Sequence, residues 1–230
     1  MHGFGLEPSG AIRAFRAEPE RTSYDTAGPD LKAALRTIAP RGVLVGHRFI
    51  RPGDEEALLP EERTAFRQTA SKVARQSGAA RIVARDLLAV RGFHGVALPR
   101  SGSGAPVWPH GVVGSLAHDE EVAVAAVANS QDFSALGIDV EPADPLPPDL
   151  VRFVATPSER RRYSAGLLES RIMFVIKEAI YKALHPLDDM FLDFHDMEVD
   201  LEAGRGQTRN GQSVTLAFTL SPRVLALAFR

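Results

Sequence analysis

Two stretches of the chain carry apolar residues at helical spacing, and before, between and after them lie short apolar runs of strand type. Over 60–90 the spacing predicts helix. Ala79, Ile82, Val83, Leu87, Leu88 and Val90 form one face, Arg75, Arg81 and Arg85 lie beside it, and Gly78 is the expected break between two helices. Arg171–Leu184 is apolar over most of its circumference, through Ile172, Met173, Phe174, Val175, Ile176 and Ile180. Its expected end lies just before Pro186, because proline has no amide proton and disfavours helical backbone in the residue before it. Leu31–Ile38 reads as a short helix capped by Asp30 after Pro29. Thr156–Tyr163 reads as a charged helix with Thr156 or Ser158 at its cap and Glu159 beyond.

The strand-type runs are Gly42–Ile50, then Val112–Leu116, Val122–Val127 and Ala135–Val140, and finally His195–Leu201, Ser213–Phe218 and Val224–Phe229. The middle three follow one another across short turns and are expected to form a three-strand meander. Residues 1–29 show no clear period. Gly92–Gly111 is a long Gly/Pro/Ser connection holding Trp108, the sole tryptophan, and connections of that length in a compact domain usually serve function. Pro142–Pro148 is a stiff spacer. Each half of the chain runs helices first and paired strands after, with a divide near Ser134, so an α+β architecture is expected.

Composition narrows the chemistry. The 230 residues suit one domain or two closely joined lobes. A net charge of −2 gives no global basic field for nucleic acid or an anionic membrane. Residues 61–100 nevertheless hold eight cations (Arg63, Arg67, Lys72, Arg75, Arg81, Arg85, Arg91, Arg100) against Glu61, Glu62 and Asp86, which suits a discrete polyanionic ligand. With no cysteine, disulfides, thiolate metal sites and cysteine nucleophiles are excluded. Met1–Ser9 lacks a basic region followed by an apolar run, and no apolar run approaches a membrane span, so a cytoplasmic protein is expected.

Three groups of residues carry candidate chemistry. In the strand Gly137-Ile138-Asp139-Val140-Glu141, side chains alternate, so Asp139 and Glu141 share one face while Ile138 and Val140 face the core. Two carboxylates on one strand face make a seat for a hard divalent cation such as Mg²⁺, whose shell water and phosphate oxygens complete. On the helix, Glu178 and Lys182 are four apart and share a face, as do Lys177 and Tyr181. An exposed pair of that kind contributes only about 0.3–0.5 kcal/mol and needs no function. This helix is so apolar, however, that its charges are expected to be enclosed by protein and to need partners. His118, after Gly114-Ser115-Leu116-Ala117, ends a strand and leads into Asp119-Glu120-Glu121; a lone histidine is more often packed than a ligand, and its place beside the strands is what singles it out.

Taken in order, these segments resemble the 4′-phosphopantetheinyl transferase superfamily, in its two-lobed, single-chain branch that activates siderophore, nonribosomal peptide and polyketide synthetases. The resemblance rests on Gly137–Glu141, Lys177–Lys182, Ser115–His118, Ala105-Pro106-Val107-Trp108-Pro109-His110-Gly111 and the helix Arg81-Ile82-Val83-Ala84-Arg85-Asp86-Leu87-Leu88. It runs from about Pro60 to about Val199. Phe174 and Val175 stand where the family often has Trp and Ser, and the loop before Pro106 has neutral Ser103 and Ala105 where the family often carries a Lys, which leaves Arg100 as a substitute cation.

The resemblance implies a pseudo-dimeric fold of two similar lobes, 1–133 binding coenzyme A and 134–230 carrying metal and catalytic helix, with the active site between them. It implies Mg²⁺ (or Mn²⁺) on Asp139, Glu141 and Glu178, and Glu178, directly or through a water, deprotonating a serine of an acyl or peptidyl carrier protein. Lys182 would stabilise or protonate the leaving 3′,5′-ADP, and Lys177 would contact phosphate. His118 with one or two of Arg75, Arg81 and Arg100 would hold the 3′-phosphate or ribose. The carrier is expected to be acidic and to dock on Arg160, Arg161 and Arg162, and a monomer suffices. Two other readings use the same residues: a magnesium-dependent hydrolase of the coenzyme A or nucleotide pyrophosphate, and a non-catalytic binding module with surface ion pairs.

Overall fold

The computed structural model describes residues 24–66 and 70–230. The expectations for residues 1–23 and the basic residue Arg67 lie outside these. In chain order the elements are α1 (Tyr24–Ile38), β1 (Leu44–Phe49), α2 (Pro60–Arg63), α3 (Ser71–Val90), β2 (Val112–His118), β3 (Val122–Asn129), β4 (Leu136–Glu141), α4 (Pro148–Val154), α5 (Pro157–Arg162), α6 (Ala165–Glu169), α7 (Ile172–Asp188), β5 (Met197–Asp200), β6 (Arg205–Thr208), β7 (Ser213–Thr219) and β8 (Val224–Phe229). The fold is α+β, with two antiparallel sheets ordered β1-β3-β2 and β4-β8-β7-β6-β5.

Period-two alternation decides the layering. On β3, Val122, Val124, Ala126 and Ala128 face a core shared with Ile138 and Val140 of β4 and Leu225 and Leu227 of β8. The intervening Ala123, Ala125 and Val127 face α3. On β8, Val224, Ala226 and Ala228 turn instead to the core under α7. The order of layers is therefore α3, first sheet, shared core, second sheet, α7. Leu31, Leu35 and Ile38 of α1 join the shared core.

Four sequence expectations change. The meander does not form: β3 is flanked by β1 and β2, so both its edges are used, and β4 pairs with β8 in the other sheet (Ile138 opposite Leu227). Gly78 does not break α3. A Cβ at that position would lie 2.0 Å from the carbonyl oxygen of Asp54, so the glycine lets the Asp54–Ala57 turn lie on the helix backbone. Helix α7 runs through Pro186 to Asp188, and α1 starts at Tyr24 with Pro29 and Asp30 inside it, so neither proline bounds its helix and Asp30 is not a cap. Strand β6, Arg-Gly-Gln-Thr, carries no apolar alternation to predict it; its buried positions are Gly206 and Thr208, and its neighbours β5 and β7 define it.

Candidate active site

The central geometry is set by a glycine. A Cβ on Gly137 would lie 2.0 Å from the carbonyl oxygen of Ala179, so only glycine lets α7 lie directly on β4. Two residues further on, Asp139 then meets the helix. Its Oδ1 accepts a hydrogen bond from the Lys182 ammonium at 2.5 Å, and its Oδ2 is buried with no hydrogen-bond partner. Glu141 shares the face of Asp139 and pairs with Arg171 at 2.9 Å. Glu178, half-buried one turn before Lys182, completes the group.

The electrostatics agree with crowding of carboxylates. Burial pushes the Asp139 carboxyl above the usual range, against the pull of Lys182. Glu141 and Glu178 are also raised, first by burial and then by the Asp139 charge. Asp119 adds repulsion on both Asp139 and Glu141. Like charges are held together here with only partial compensation, an arrangement that structural ion pairs do not need. Among the described residues no three carboxylates or histidines stand close enough to hold a metal unaided. The donor set still fits a hard divalent cation that takes a few carboxylate oxygens and fills its shell with water and phosphate oxygens, and the orphaned Asp139 Oδ2 is a donor of that kind.

Beside the carboxylates opens a cleft of about 650 Å³ between the two sheet systems. Arg81 of α3, Arg100 and Trp108 of the long connection, His118 at the end of β2, and Tyr181 and Lys182 of α7 line it. Arg81 is buried; its Nε donates to the Leu98 carbonyl at 3.0 Å, its Nη1 to the Ser77 carbonyl at 3.3 Å, and Glu62 lies 3.7 Å away. Burial pulls its pKa down to about 10. Arg100 and Arg81 both lie over the Phe66 ring, at 4.7 and 5.4 Å. Burial and then Lys182 hold the His118 imidazole below its ordinary value, so it is neutral at pH 7.

The structure does not bring every expected residue here. Arg75 does not line the cleft and is paired with Glu55 at 3.1 Å. Lys177 is 0% exposed and points away: its ammonium donates to Glu159 at 2.7 Å and to the carbonyls of Val154 at 2.8 Å and Phe194 at 2.9 Å. All three ammonium protons are thus used, and the expected phosphate contact gives way to a structural one. The reason is angular: Lys177 lies about 100° around the helix from Glu178, on the side packed under α5 and β5. Of the three arginines on α5, Arg162 pairs with Asp200 and Glu202.

Sequence reasoning missed three contributors. Arg171 precedes α7 and grips Glu141. Glu159, read only as a capping residue, caps Thr156 as expected and also neutralises Lys177. Arg223, in the turn after β7, reaches Asp119 and Glu121 in the β2–β3 turn and so links the two sheets. The acidic Asp119-Glu120-Glu121 was a visible signal for a cationic partner; nothing in the sequence pointed to Arg223.

Residues 61–128 match the 4′-phosphopantetheinyl transferase N-terminal domain and residues 135–227 the 4′-phosphopantetheinyl transferase superfamily. The chain is 35% identical over 191 residues to the 4′-phosphopantetheinyl transferase Npt of Nocardia iowensis, covering 82% of this chain and 86% of that protein. It is 36% identical over 181 residues to the 4′-phosphopantetheinyl transferase Svp of Streptomyces mobaraensis, covering 74% and 73%. To the 4′-phosphopantetheinyl transferase PptT of Mycobacterium tuberculosis it is 34% identical over 148 residues, covering 63% and 65%. The chain belongs to the 4′-phosphopantetheinyl transferase superfamily and is a transferase enzyme.

Proposed function

We propose that this enzyme transfers the 4′-phosphopantetheine arm of coenzyme A to a serine of an apo acyl or peptidyl carrier protein and releases 3′,5′-ADP. The observation that carries the reading is the pair between buried Asp139 and half-buried Lys182, with Glu178 one turn away, opening onto a cleft lined by Arg81, Arg100 and His118.

Asp139, Glu141 and Glu178 are the residues that would hold Mg²⁺ (or Mn²⁺), which when bound neutralises charge on the diphosphate of coenzyme A. Lys182 reaches both the carboxylate group and the cleft, which suits it to the departing phosphate oxygen. Glu178, its carboxyl held above the usual range by burial and then by the Asp139 charge, accepts the proton of the carrier serine directly or through a water. The serine oxygen attacks the β-phosphorus, the bond to the α-phosphate breaks, and 3′,5′-ADP departs. Little covalent help is required, because positioning and charge carry phosphoryl transfer. Arg81 and Arg100 supply fixed positive charge for the 3′-phosphate, while neutral His118 offers a hydrogen bond to it or to the ribose.

In this reading residues up to 133 mainly bind coenzyme A, and those from 134 hold the metal and catalytic helix, as two pseudo-symmetric lobes of one cytoplasmic monomer. Carriers of siderophore, nonribosomal peptide or polyketide assembly are the expected partners, approaching over the exposed Arg160 and Arg161. The test is intact mass spectrometry of apo acyl and peptidyl carriers incubated with enzyme, coenzyme A and Mg²⁺. A gain of one phosphopantetheine, abolished by EDTA and by Asp139→Ala, is the expected result. Coenzyme A cleaved without a modified carrier would mean hydrolysis, and coenzyme A bound but intact across all carriers would mean a binding module.

A further inference from the structure

Both carboxylates on the face of β4 that packs against α7 are gripped at one oxygen by a cation on that helix or at its N-cap. Lys182, from the third turn of the helix, takes Asp139 Oδ1 at 2.5 Å and leaves Oδ2 unpartnered. Arg171, at the start of the same helix, takes Glu141 Oε2 through Nη1 at 2.9 Å, and Oε1 makes no hydrogen bond to the described residues. The two grips are alike in form, yet only Lys182 belongs to the catalytic set already described.

We propose that Arg171 is a positioning residue for the divalent cation, fixing the Glu141 carboxylate so that its second oxygen is presented to the ion and tying that carboxylate to the helix that carries Glu178 and Lys182. The inference rests on the reading of Asp139, Glu141 and Glu178 as the cation's ligands.

Three features of Arg171 suit the role. Its guanidinium is bidentate across the chain leaving β4: Nη1 holds Glu141, and Nε donates to the Asp144 carbonyl at 2.8 Å, so the strand end and the following turn are held by one rigid fork. Its backbone caps α7, with the Arg171 carbonyl accepting the first helical bond from Val175 N at 3.0 Å. And its φ is +62°, a left-handed conformation that favours glycine. An arginine held there against its own backbone preference points to a use for the side chain that glycine does not offer. The guanidinium also offsets the repulsion that Asp139 and Asp119 exert on Glu141.

Outer partners of metal-ligating carboxylates typically contribute 10–100-fold to metal affinity. The test is titration of the full-length protein with Mn²⁺, read by electron paramagnetic resonance, in wild type, Arg171→Ala, Arg171→Lys and Arg171→Gly, with Asp139→Ala as the site-loss control. Arg171→Ala should weaken Mn²⁺ binding by about 10–100-fold. Arg171→Lys should recover part of it, because an ammonium reaches Glu141 without the second hold on Asp144. Arg171→Gly should bind as weakly as the alanine variant while melting no lower, since glycine relieves the backbone and removes only the guanidinium. In the transfer assay the Mg²⁺ concentration for half-maximal rate should rise in step, with kcat at saturating Mg²⁺ little changed. Wild-type Mn²⁺ affinity in Arg171→Ala, or full recovery in Arg171→Gly, would overturn the inference alone. No Mn²⁺ binding by the wild type would overturn the cation site and this inference with it.

Discussion

Replacing Lys177 by methionine separates the two roles open to that residue, since the ammonium is either a buried structural cation or a phosphate contact. In the structure Lys177 and Glu159 are both fully buried and paired at 2.7 Å. Removing one partner of such a pair costs about 3–5 kcal/mol, because the other charge is left without compensation. Here Glu159 would keep two backbone donors, Thr156 N at 2.7 Å and Val199 N at 2.8 Å, which places the cost near the lower end, about 3 kcal/mol. In a chain of 230 residues each kcal/mol corresponds to roughly 2–4 °C, so Lys177→Met should lower Tm by about 6–12 °C in calorimetry. Adding Glu159→Met should recover only part of this, since the amides of Thr156 and Val199 would then be buried unpaired. Coenzyme A affinity, measured by isothermal titration on the folded variant, should stay within about twofold of the parent, an effect of at most ~0.4 kcal/mol. A Lys177→Met protein that melts like the parent and loses coenzyme A affinity tenfold would refute the argument, because the ammonium would then have to leave its pocket to reach phosphate.

Gly137→Ala should be among the most damaging small substitutions: its methyl meets the Ala179 carbonyl, so α7 must move off β4. Overpacking of this kind costs about 1–3 kcal/mol, and carrier transfer should fall with Tm. Gly114→Ala would place a methyl 2.6 Å from the Trp108 ring and should turn that ring within the cleft; a shift in emission of the sole tryptophan and weaker coenzyme A binding would report it, and unchanged emission would refute the contact. Glu178→Gln should raise Tm at pH 7.5 without divalent cations while abolishing transfer. The folded-state pKa of Glu178 lies above its unfolded value, so the folded state binds the extra proton and stability falls as pH rises through that window. The gain from glutamine should therefore shrink as pH is lowered toward 4.5, and a gain that grows on acidification would contradict the sign.

The local elements were legible because they depend on local periodicity. The Thr156 cap with Glu159 three residues on could be read from spacing alone, and so could Ile138 and Val140 on one face of the strand against Asp139 and Glu141 on the other. Helix α7 was legible as an apolar helix with Glu178 and Lys182 on one side. Errors gathered where the determinant was remote in sequence. Gly78 looks like a breaker until the Asp54 carbonyl is seen against it, and β6 has no strand signal apart from its two neighbours.

By itself, then, the sequence determined which residue types could meet on one face: two carboxylates two apart on a strand, a glutamate and a lysine four apart on a helix, and basic residues on the helix before. Short-range geometry, 3.6 residues per turn or two per pleat, suffices for that. Only the tertiary structure decided which faces meet. It sent β4 to the second sheet through its pairing with β8, and so brought Asp139 under Lys182. It turned Lys177 inward to Glu159 and brought Arg171 and Arg223 to Glu141 and Asp119. Strand partners and buried counter-ions are chosen by contacts between segments tens of residues apart, and their energy depends on burial that no local pattern encodes.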